Sequence, residues 1–191
     1  MDIDYAFIRS QLGSVKSDSI SKLKRWLPVA MQMSYRSRFW PANILEIQTH
    51  GFTYLFDFSS GAGINNRHDR VIGVYGLSQN GSGPRDESRM KGFLGGGLMI
   101  SGMKYDKGHL ASHGQGGFED GLNLIPQRAD INRGYKCGDP RYREMENFCA
   151  NNPGTFFFSR MIYSDDTWVP TQIEYGILRR PDELAIVQFP N

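Results

Sequence analysis

Between Met103 and Glu146 the chain runs MKYDKGHLASHGQGGFEDGLNLIPQRADINRGYKCGDPRYREME, and this stretch constrains the fold more than any other. Tyr105-Asp106-Lys107-Gly108-His109 reads as the end of a short strand that passes into a glycine-rich loop. Asn123-Leu124-Ile125-Pro126-Gln127 reads as a second short strand, broken by Pro126. Asp130-Ile131-Asn132-Arg133-Gly134 opens a helix. Asp139-Pro140 interrupts and restarts it, because proline is favoured in a first helical turn. From there RYREMENFCA continues helically with Tyr142, Met145 and Cys149 on one side. Strand, loop, strand and helix in that order form a compact way to bring His109 and Asn132 face to face.

The flanking segments supply a frame. Ile3, Phe7 and Ile8 begin one apolar helical face, and Ile20, Leu23, Trp26 and Leu27 make a second before Pro28. A continuation through Ala30 and Met33 ends near Trp40-Pro41. Lys22, Lys24 and Arg25 fall between the apolar positions as a solvated face. From Ile44 the segments ILEIQT, FTYLFDF and RVIGVYGL are β-branched and aromatic, with glycine-containing turns between them. The polar stretch SQNGSGPRDESRMKG is too long for a tight turn. After the motif, TFFFSRMIYS and WVPTQIEYGILRR read as a strand pair and ELAIVQF as one more strand, with Phe156-Phe157-Phe158 a buried run. The expected fold is α+β: a central antiparallel sheet with flanking helices. Residues 1–191 form one domain, with a helical N-terminal element over 1–42 and the core motif over 98–150.

Composition narrows the function classes. A 191-residue chain with 39% hydrophobic residues can bury a sizeable core. The net charge of +2 and pI near 8.5 tolerate nucleic acid without announcing it, since strongly basic binders exceed a pI of about 9. No apolar run is long enough to span a membrane, and MDIDYAFIRSQLGS lacks the regions of a secretory signal. Cys137 and Cys149 are too few for a disulfide framework and read as two free thiols.

The motif resembles the DNA/RNA non-specific endonuclease family, the ββα-metal or His-Me finger nucleases. That family's pattern is D-R-G-H, then N-x-x-P-Q, then a helix carrying N-x-G and a downstream glutamate. Gly108-His109-Leu110-Ala111-Ser112-His113-Gly114-Gln115-Gly116-Gly117 looks closest to toxin-type members. The match covers about 44 of the 191 residues, with several motifs in order.

The resemblance implies a role for each position. A histidine with a near-neutral pKa can take a proton from water as that water attacks phosphorus, and His109 is that base. Mg²⁺ uses one or two protein oxygens plus substrate phosphate, and Asn132 would supply a neutral, fixed oxygen. Mn²⁺ is the alternative ion. Asn123 matches the strand asparagine that aligns the site. Glu146 matches the helix glutamate supporting the metal's water shell. Glu144 competes for that role because Cys137–Pro140 looks like an insertion.

Asp106 would orient the loop. Lys107 stands where arginine is usual, keeping the charge but losing the planar fork. The family's upstream arginine has three candidates here, Arg89, Arg85 and Arg70. Arg128, Arg133, Lys136, Arg141 and Arg143 concentrate positive charge beside the site, where phosphate contact is favoured. His109 and His113 have the i, i+4 spacing of a zinc pair. The glycines around them argue against a helix, so substrate contact or loop structure is favoured for His113.

The expected function is a Mg²⁺-dependent endonuclease that hydrolyses DNA, with RNA as a second candidate, and leaves a 5′ phosphate. The toxin-type resemblance implies an antibacterial effector, exported without a signal peptide, acting in the target-cell cytoplasm and blocked by a cognate immunity protein. Without that delivery the protein would be cytoplasmic; no membrane partner is expected. Two alternatives stay open: a nucleic-acid- or protein-binding module that has lost catalysis, and a zinc hydrolase using His109 and His113.

Overall fold

In the computed structural model, which describes residues 2–81, 83–84, 88, 98–100, 102–134 and 139–191, nine strands pair into two antiparallel sheets. In chain order the strands are β1 (Ile44–Thr49), β2 (Phe52–Asp57), β3 (Arg70–Leu77), β4 (Leu98–Ile100), β5 (Met103–His109), β6 (Leu124–Arg128), β7 (Phe156–Ile162), β8 (Gln172–Arg180) and β9 (Glu183–Pro190). Among the described residues, the helices that flank the sheets are α1 (Tyr5–Ser10), α2 (Lys16–Arg36), α3 (Ala129–Arg133) and α4 (Pro140–Asn151), with a 3-10 turn at His113–Gln115. The larger sheet has the order β1-β2-β3-β7-β8-β9, and the smaller is β4-β5-β6. The fold is α+β with a large antiparallel sheet, as the strand segments imply.

The strands form where β-branched and aromatic residues can be covered. In β3 every residue but the last is buried, and in β7 the run Phe156-Phe157-Phe158 is fully buried. Two faces of the sheet are covered by different helices. Arg160 and Glu174 are cross-strand partners in β7 and β8, and their ion pair (2.7 Å) is met by Ser34 of α2 and Tyr5 of α1. The next residue of β8, Tyr175, packs edge-to-face on Tyr142 of α4. Successive strand residues point to opposite faces, so α1 and α2 lie on one side and α4 on the other.

The structure adds detail to the sequence expectations and corrects some of them. The N-terminal helical element is two helices, and α2 runs unbroken through Pro28. An interior proline normally interrupts a helix; here Leu27, Pro28 and Met31 are all buried in the core, which holds the segment in place. Lys24 and Arg25 are exposed, whereas Lys22 is half-buried and donates to Gln11 O at 2.7 Å. The motif's two strands belong to the separate smaller sheet, not to the central one. There β6 continues through Pro126 instead of breaking, because it is an edge strand and the missing N–H is tolerated.

Cys149 is a buried free thiol in the core, and Cys137 lies outside the described residues. Among the described residues no helix is long and apolar enough to cross a membrane.

Candidate active site

The smaller sheet, α3 and α4 enclose a polar cleft of about 510 Å³. Asp106, Lys107 and His109 line it from β5, Ser112 and His113 from the following loop, Asn132 and Arg133 from α3, and Arg143 and Glu146 from α4. Residues 106 and 146 are brought together here by the β5–β6 hairpin and the turn into α3.

His109 is the last residue of β5 and is buried. Its strand is held in register by β6, with His109 opposite Leu124 and Lys107 opposite Pro126. The glycine before it has a steric cause. A Cβ on Gly108 would come within 2.4 Å of the Gln127 Cβ and 2.0 Å of its Oε1. Gln127 therefore leaves room only for glycine at position 108. Behind the histidine, Tyr142 Oη of α4 lies 3.4 Å from the His109 carbonyl.

Asn123 does not line the cleft; it holds the loop that leaves His109. Fully buried, its Oδ1 accepts from Ala111 N (2.8 Å) and Tyr54 Oη (3.0 Å). Its Nδ2 donates to Ala111 O (2.9 Å) and Phe118 O (2.8 Å). All four hydrogen-bonding positions of the amide are thus used. The same loop closes at Gly117, where a Cβ would sit 1.8 Å from Ala111 O. Gly116, at φ +92°, turns the chain out of the 3-10 segment in a region that glycine adopts without strain.

Asn132 lies within α3, half-buried, with its Nδ2 3.3 Å from Asp106 Oδ2. A carboxylate only accepts, so the amide nitrogen faces Asp106 and Oδ1 is the atom left to a ligand. Asp106 is gripped by both Nε and Nη2 of Arg133. Burial pushes its pKa up, but the Arg133 and Asn132 hydrogen bonds and the charges of Arg133 and Lys104 outweigh that and hold the carboxyl below its usual range. Lys107 is buried, and burial lowers its pKa.

Helical register places the two glutamates differently. Glu146 is buried and lines the cleft, while Glu144 is exposed and does not. Arg143, one turn earlier, places Nη1 3.2 Å from Glu146 Oε2 and donates from Nη2 to Asn132 O at 2.5 Å. Lys107, Arg133 and Arg143 set three cations against the two carboxylates of Asp106 and Glu146, so these five side chains give the cleft a net positive bias.

The remaining expected residues divide. Arg128 is turned to Asp130 (2.5 Å) and is not among the cleft-lining residues, in contrast to Arg133. Arg70 is buried elsewhere, donating to Tyr35 Oη (2.8 Å) and to the carbonyls of Asp165 and Thr167, beside a separate, mainly apolar cavity of about 460 Å³. Arg85, Arg89 and Lys136 lie outside the described residues. His113 lines the cleft, with Nδ1 2.9 Å from Glu119 Oε1 and Nε2 2.9 Å from Gly83 O. Both ring nitrogens face acceptors. Metal ligation by His113 would need one of those contacts to break.

Sequence reasoning missed several supports. Asn191 donates to Pro126 O (2.9 Å) and accepts from Arg128 N (2.8 Å), bracing β6 from 63 residues away. Tyr175 Oη donates to Gln115 Oε1 at 2.8 Å and anchors the 3-10 turn. Neither has a local signal. Arg143 was visible only as one of several basic residues.

The donor set fits a hard cation. Asn132 Oδ1 and the Glu146 carboxylate are oxygens in one cleft, and the described thiol, Cys149, is buried in the core. Among the described residues no three His, Cys, Asp or Glu side chains gather in a metal-holding group. Mg²⁺ needs only one or two protein oxygens and keeps several waters. A scan of protein-family models finds no match to this chain, and comparison with curated proteins finds none either.

Proposed function

We propose that this chain is a metal-dependent, non-specific endonuclease of the ββα-metal type, with β5, β6 and α3 as its catalytic motif. The observation that carries this is the convergence of His109, Asn132 and Glu146 on one positively biased cleft. Mg²⁺, or Mn²⁺ in its place, would be held by Asn132 Oδ1, with Glu146 supporting its water shell. When bound it supplies Lewis-acid stabilisation of the phosphoryl and leaving oxygens.

The chain's own groups do the rest. His109 accepts a proton from a water as the water oxygen attacks phosphorus in line. The P–O3′ bond breaks and the departing O3′ takes a proton from a solvent water, leaving a 5′ phosphate on one fragment and a 3′ hydroxyl on the other, while His109 returns its proton to solvent. Lys107, Arg133 and Arg143 face the phosphodiester as cations. Asp106 fixes the direction of the Asn132 amide and of Arg133, so it positions both. Asn123 keeps His109 at the cleft through the Ala111 main chain. Backbone contact of this kind is independent of base sequence; DNA is the proposed substrate and RNA the second candidate.

The toxin-type resemblance extends the proposal to an antibacterial effector blocked by an immunity protein. That role rests on the Gly108–Gly117 motif alone. The zinc alternative is less well supported, because His113 Nε2 faces the Gly83 carbonyl at 2.9 Å and Nδ1 lies 2.9 Å from the Glu119 carboxylate, so a zinc ion would have to displace one of those neighbours.

Cleavage of supercoiled plasmid and of structured RNA tests the reading, comparing wild type with His109→Ala in Mg²⁺ and in EDTA. Degradation by wild type only, and only with metal, is expected. Binding without cleavage under every metal and salt condition would leave the inactive binding module as the better account.

A further inference from the structure

The cleft already contains a cation opposite Glu146. The guanidinium of Arg143 reaches the main-chain oxygen of Asn132 with one nitrogen (2.5 Å) and the carboxylate of Glu146 with another (3.2 Å). One side chain thus touches both residues assigned to the metal. The first contact has a structural reason. α3 ends at Gly134 in a left-handed conformation, φ +62°, and the last carbonyls of a helix lack intrahelical partners. Arg143 satisfies that of Asn132 from the next helix.

The second contact has an electrostatic one. The Glu146 side chain is only 8% exposed, and a carboxylate buried to that degree is costly without an opposite charge. The Arg143 side chain is 47% exposed, so its head can leave for solvent with little packing lost. The two exposures differ in the sense an exchange requires: the acid is fixed and the base is free to swing.

We propose that Arg143 is a positioning residue that stands in for the metal's charge. It holds Glu146 before a cation arrives, gives up the carboxylate when one enters, and so keeps the cation affinity of the site low. The proposal rests on the assignment of Asn132 and Glu146 to a metal. A divalent ion drawn to Glu146 competes with a guanidinium on the same carboxylate, and like charges at such separations in a partly buried site repel appreciably. On release, the guanidinium turns toward the open side of the cleft that Arg143 lines, where it remains available to a phosphate.

Mn²⁺ binding to the full chain, read from the paramagnetic resonance of the free ion, tests this. Arg143→Gln is expected to bind Mn²⁺ roughly tenfold more tightly than wild type. Arg143→Lys should stay within about twofold, because charge and not shape opposes the ion. Asn132→Ala should bind far more weakly. If Asn132→Ala weakens binding while Arg143→Gln leaves it unchanged or weaker, the stand-in role is overturned and the metal assignment survives. If wild type takes up no Mn²⁺, both fall. A second measurement on wild type avoids any folding defect: the guanidinium nitrogen resonances of Arg143, followed by NMR during Mg²⁺ titration, should shift as the ion saturates. Resonances that do not move would overturn the exchange.

Discussion

The side-chain amide of Asn123 pairs with both main-chain polar groups of Ala111, accepting from its N–H at 2.8 Å and donating to its carbonyl at 2.9 Å. Ala111 lies two residues beyond His109, so one side chain from the residue just before β6 continues the pairing at the point where β5 ends. The loop that carries Ser112 and His113 is tied to the motif by this pairing.

Removing the amide should therefore cost stability as well as activity. Asn123→Ala strips partners from buried Ala111 groups and from Tyr54 Oη, and each unsatisfied buried group costs about 1–3 kcal/mol. A loss of about 3 kcal/mol or more in urea denaturation is expected. Asn123→Asp should not rescue it, because a carboxylate cannot donate to Ala111 O or Phe118 O. Stability within about 1 kcal/mol of wild type for both variants would contradict this account.

Gly108 should tolerate no side chain. In Gly108→Ala the new methyl would meet the Gln127 Cβ at 2.4 Å, and overpacking of this kind typically costs about 1–3 kcal/mol. Gln127→Ala in the same background keeps the Cβ and should recover only part of the loss. Full recovery, measured by thermal denaturation, would show that the flexible end of Gln127 was the obstacle.

Asp106 should contribute to acid sensitivity. Its folded-state pKa is held below the ordinary carboxylate value, so the unfolded chain binds more protons in the acidic range and stability rises with pH there. The contribution is present above the unfolded carboxylate pKa and is lost as pH falls through the lower folded value. Asp106→Asn should be less stable than wild type at neutral pH, by on the order of 1 kcal/mol given the partly exposed Arg133 partner. The gap should close in strong acid. A gap that persists unchanged at low pH would point to packing instead of charge.

Cys149 should be chemically silent in the folded protein. Burial pushes its thiol up to about 12, and the thiolate is the reactive form. In a Cys137→Ser variant, thiol titration near pH 8 should detect no reaction until denaturant is added. Rapid native-state labelling would mean that the core around Tyr175 opens readily.

Much of the frame was legible because its causes are local. The aromatic and β-branched runs at 52–57, 70–77 and 156–162 became buried strands, and Asp139-Pro140 began α4 with the aspartate accepting from Arg141 N. Within the site, His109, Asn132 and Glu146 could be picked out from spacing and resemblance, and they do share one cleft. What could not be read was which neighbours of similar chemistry face that cleft. Arg128 and Arg133 look alike in sequence, yet one turns to Asp130 and the other grips Asp106. Arg70 is as basic as either and lies buried against Tyr35.

The sequence by itself determined the order of strand, glycine loop, strand and helix, since backbone preference and side-chain chemistry act over a few residues. It also determined that His109 follows a glycine and that an asparagine stands in the helix beyond. Only the tertiary structure decided that the motif strands form their own sheet, that Asn191 braces β6, and that Arg143 joins Asn132 to Glu146. Those relationships depend on side-chain direction and on packing between segments distant in the chain, and no local pattern records either.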